Sequence, residues 1–188
     1  MLSTNEELHV AVDRVKRSFQ YAQSFHESCG INDTINWADT FQKMGGKLNI
    51  YPKSMKGEIP LLERHENKFI VNLPAEERIR QDALSAVASS FLLIHYGYSD
   101  VNIKKWQLLT HLYESEILEK FTAIQQLKYA DFAVIISIYQ KKFQEVALEC
   151  YYDKKFLADY FHVSIFTIDK YLHLQSVSHG DFTYWANQ

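Results

Sequence analysis

Residues that staple or punctuate a chain are scarce here: two cysteines, three prolines and six glycines among 188 residues. Cys29 and Cys150 are too few and too far apart for a disulfide framework or a metal knuckle, so reduced thiols in a cytoplasmic protein are expected. So little Gly and Pro argues against a β-sandwich rich in tight turns and favours helices. No apolar stretch approaches the ~20 residues of a membrane span. The opening Met-Leu-Ser-Thr-Asn-Glu-Glu lacks a basic region followed by an apolar run, so no secretory signal is expected. An excess of one charge is lacking too. With 20 basic and 23 acidic residues the net charge is −3, which implies no general affinity for a nucleic-acid backbone. Gly-rich phosphate loops, a Ser-His-Asp order, a Cys-His pairing and internal repeats are all absent.

What is present is a large apolar and aromatic content, 47% hydrophobic with 12 Phe, 12 Tyr and 3 Trp, ample for the core of one domain or of one domain with appended helices. Leu8, Val12, Val15, Phe19, Ala22 and His26 recur at helical steps and predict a long amphipathic helix ending at Cys29-Gly30. Such a stripe packs on its own domain or pairs with a second copy. Asp33 or Thr34 is a candidate cap for a short helix with Trp37 and Phe41, stopped by Gly45-Gly46. Lys47–Tyr51, Pro60–Glu63 and Phe69–Leu73 read as three strands of a small antiparallel sheet closed by Pro74. From Ala75 onward the pattern is helical: 76–97, from about 100, 130–149, 153–161 and 165–174, with an irregular end from Ser176.

The Val87–Gly97 helix ends in Leu92-Leu93-Ile94-His95, after Asn72-Leu73-Pro74 and before Ala130-Asp131-Phe132-Ala133 and Leu157-Ala158-Asp159-Tyr160-Phe161-His162-Val163-Ser164. In this order the segments resemble the ImmA/IrrE-type zinc metallopeptidases over roughly residues 31–174. The resemblance implies an Asn at position 72, an acidic-Ala-Asn/Asp-x-Phe-Ala stretch at 130–133 and a Leu-Ala-x-x-Phe-x-Val-Ser segment at 157–164. It also implies a His-Glu-x-x-His motif on the helix, where two histidines bind zinc and the Glu is the general base. Those three positions hold Val87, Phe91 and Ala88, and the third ligand position falls on Lys128 or Tyr129. None of these can hold zinc in such a site, whereas Val87 and Phe91 extend the apolar Leu84–Ile94 stripe.

The expectation is therefore an α+β, helix-rich single domain with a three-stranded antiparallel sheet on a pseudo-HExxH helix. Residues 1–30 form the N-terminal helix, 31–174 the ImmA/IrrE-like domain and 175–188 a tail. The resemblance implies a non-catalytic, antirepressor-like regulator of a phage or mobile element, with no metal or cofactor and no membrane. Its expected partner is a repressor or host protein, and the N-terminal helix is a candidate homodimer contact. Alternatives are a zinc peptidase with atypical ligands such as His111, Glu114 and Glu116, an inhibitor of a host enzyme in the manner of a toxin or anti-defence protein, and a DNA-binding regulator using residues 157–172. The last is disfavoured because the second helix of that segment offers Ser164, Thr167, Asp169 and Lys170 among aromatics.

Overall fold

The computed structural model describes residues 4–43, 45–55, 58–59, 62–65, 68–75 and 131–180. Helix α1 (Thr4–Cys29) is followed by α2 (Trp37–Lys43) and the strands β1 (Gly46–Tyr51), β2 (Leu62–His65) and β3 (Lys68–Pro74). Helix α3 is described over 131–136, and α4 (Gln140–Glu149), α5 (Lys154–Phe161) and α6 (Ile165–Ser178) complete a helix-rich α+β architecture. Among the described residues, no helix is long and apolar enough to cross a membrane. The pseudo-HExxH helix with Val87, Ala88 and Phe91 lies outside the described residues, as do His95, His111, Glu114, Glu116, Lys128 and Tyr129.

Helix α1 buries the face that its spacing predicts, Val15, Phe19, Ala22 and His26, together with Phe25 and Cys29. It ends in a glycine turn: Gly30 adopts φ 66°, and the amide of Ile31 reaches back to the carbonyl of His26 at 2.8 Å. A left-handed residue closing a helix in this way satisfies carbonyls that would otherwise be left over, and glycine adopts it without a Cβ clash. The cap of α2 is Asn36, not Asp33 or Thr34. Its Oδ1 accepts from the amides of Ala38 and Asp39 at 3.1 and 3.3 Å.

The sheet is mixed, which corrects the expected antiparallel arrangement. Its order is β1-β3-β2, with β1 parallel to β3 and β2 antiparallel to β3. A parallel pair cannot be joined by a tight turn. The segment after β1, with Pro52 and the 3-10 turn Lys53–Met55, carries the chain past the central position, so the β2–β3 pair folds back and places β3 beside β1. The second strand is described over Leu62–His65 and so runs past the expected end at Glu63, while Pro60 and Leu61 lie outside the described residues.

The expected helix over 130–149 is broken. Ile135-Ile136-Ser137-Ile138 is a β-branched run interrupted by Ser, poor in helix propensity, and Ser137 Oγ donates to the Val134 carbonyl at 2.7 Å. The chain leaves α3 in a turn, and the Ile136 carbonyl accepts from His26 Nε2 at 2.8 Å. Apolar periodicity survives the break because both pieces face the same core. The last helix runs past the expected 174 to Ser178 and ends at His179.

One core joins these elements. Phe19 of α1 meets Tyr171 of α6 edge-on at 5.5 Å, Tyr171 packs on Phe143 of α4 at 4.7 Å, and Phe143 lies 5.7 Å from Phe161 of α5. At the other end of α1, Phe25 stacks on Trp37, which touches Phe41. Each such ring contributes roughly 1.5–3 kcal/mol by leaving water. The α1 stripe thus packs within its own chain.

Candidate functional site

Three segments that carry the resemblance lie among the described residues, and each has a mechanical role. Asn72 is 1% exposed on the central strand. Its Oδ1 accepts from Asn49 Nδ2 on β1 at 2.8 Å, and its Nδ2 donates to a carboxylate oxygen of Glu63 on β2. This amide–amide–carboxylate row ties all three strands across one sheet face. Asp131 accepts from Arg14 of α1 at 3.5 Å and from Lys170 of α6 at 3.1 Å, so one carboxylate clamps the first and last helices to α3.

The third segment, 157–164, forms a helix-turn-helix with α6. Asp153 caps α5 by accepting from the amides of Lys155 and Phe156. His162 then turns the chain in the left-handed region at φ 56° and ψ 35°, and Ser164 caps α6 by accepting from the Thr167 amide at 3.1 Å. Leu157, Ala158, Phe161, Val163, Ile168 and Tyr171 are buried and fix the angle between the helices. In a DNA reader the exposed first turns of the second helix carry base- and phosphate-seeking groups. Here Ile165 is 46% and Phe166 71% exposed. Asp169, next on that face, pairs with Lys154, while Lys170 is held by Asp131. The first turn of α6 thus exposes Ile165 and Phe166, while Asp169 and Lys170 on the same helix are each in an ion pair.

A second exposed surface lies at the corner between α4 and α5. The amide of Tyr152 bonds the Ala147 carbonyl at 2.8 Å and that of Tyr151 bonds Leu148 at 3.4 Å, the pattern of a helix closed by a left-handed residue. The residues in that conformation are two tyrosines, Tyr151 at φ 54° and Tyr152 at φ 60°. Each such residue with a Cβ costs roughly 1 kcal/mol or more. Burial does not repay this, since Tyr151 is 93% and Tyr152 49% exposed. Nearby in sequence, Leu148 and Phe156 are 66% and 51% exposed. Both tyrosines belong to the aromatic set visible in the sequence. The signal for their conformation was a helix end at Glu149 with no glycine before the Asp153 cap.

Among the described residues, His26, Cys29 and Tyr171 are buried titratable groups held in their neutral forms. Burial pulls His26 down to about 4, against the opposing effects of the Ile136 carbonyl and Glu27, so it is neutral and donates from Nε2. Burial likewise pushes the Cys29 thiol up to about 11 despite Lys43, which makes it unreactive at neutral pH. The Tyr171 phenol is raised by burial alone, and its hydroxyl has no hydrogen-bond partner among the described residues. His173 is lowered, first by desolvation and then by Lys170, with Asp131 opposing. Among the described residues, no three His, Cys, Asp or Glu side chains are grouped to hold a metal ion. No family model, curated protein or solved structure matches the chain.

Proposed function

We propose that the chain is a non-catalytic, protein-binding regulator, derived from the ImmA/IrrE-type group and acting in the manner of an antirepressor of a phage or mobile element. The carrying observation is the first turn of α6. A helix-turn-helix frame holds Ile165 and Phe166 outward where a DNA reader would place polar or basic groups, and exposed apolar side chains in a rigid frame suit a protein surface. The neighbouring Asp169 works against a phosphate backbone, and its pairing with Lys154 leaves no free cation at that position. Val87, Ala88 and Phe91 in place of zinc ligands and base support the absence of hydrolysis. By the same resemblance, the partner is a repressor or another regulatory protein in the cytoplasm.

The test is capture from nuclease-treated extract of the native host, with the wild-type chain and Phe166→Asp compared side by side. A protein retained in stoichiometric amount by the wild type and lost with Phe166→Asp is expected. Tight binding to random duplex DNA at low salt, reduced by substitutions on α6, would replace this reading with a nucleic-acid one.

A further inference from the structure

We draw no further inference here: the strongest candidate, the corner between α4 and α5 with its exposed Leu148, Tyr151, Tyr152 and Phe156, carries nothing further, because nothing in the structure shows what covers it.

Discussion

His26 couples the fold to pH in a direction and a range that can be worked out. Its ring is 1% exposed, sits edge-on to Tyr139 at 5.6 Å and gives its Nε2 proton to the Ile136 carbonyl, joining α1 to the end of α3. Burial lowers its pKa from 6.5 to about 4. Between those values the unfolded chain binds the proton and the folded chain does not, so stability falls as pH falls. Above 6.5 the contribution is complete, and by about pH 4 it is gone. At 1.36 kcal/mol per pH unit the loss amounts to about 3 kcal/mol, a large share of the stability of an ordinary domain. Urea unfolding followed by circular dichroism at pH 7.5, 6, 5 and 4, on the wild type and on His26→Gln, isolates this term. Glutamine keeps a donor for the carbonyl but does not titrate, and the other ionisable groups cancel in the difference. That difference should shift by about 3 kcal/mol against the wild type between pH 7.5 and 4. A difference that stays constant with pH would refute the reasoning.

Three further outcomes follow from single contacts. Tyr171→Phe removes a buried hydroxyl that has no partner among the described residues and keeps the rings against Phe19 and Phe143, so it should raise stability by about 1 kcal/mol in denaturant melts. Tyr151→Gly removes a Cβ at φ 54° and should stabilise the isolated chain by up to about 1 kcal/mol; a lower melting temperature would show that the ring packs within the chain. Asn72→Ala strips Asn49 and Glu63 of their shared amide and should cost about 2–3 kcal/mol, measured in the same way.

The sequence made the helices legible wherever an apolar face is long and regular. The stripe from Val12 to His26 and the Leu157-Ala158 to Val163-Ser164 pattern each map onto a helix face or turn that the structure contains. The break at Ser137 was hidden because α3 and α4 pack on one core and keep their spacing across it. The parallel pairing of β1 and β3 was hidden as well, since periodicity reports which face of a strand is buried and not its neighbour. The roles of Asn72 and Asp131 are of the same kind. A polar residue carries no trace in sequence of partners such as Asn49, Arg14 or Lys170, which lie 23, 117 and 39 positions away. The exposed site was half legible. The aromatics could be counted, but that Phe166 points outward from a helix-turn-helix, and that Tyr151 is held left-handed, are facts of the backbone.

The claim that α6 presents a protein-binding face is tested most directly by placing a photo-crosslinker in it. Phe166→p-benzoylphenylalanine, irradiated in native host extract, should give one dominant adduct between the chain and another protein, while the same probe at the exposed Gln20 of α1 gives none. Adducts of equal yield from both positions, or adducts at position 166 that nuclease removes, would contradict the account.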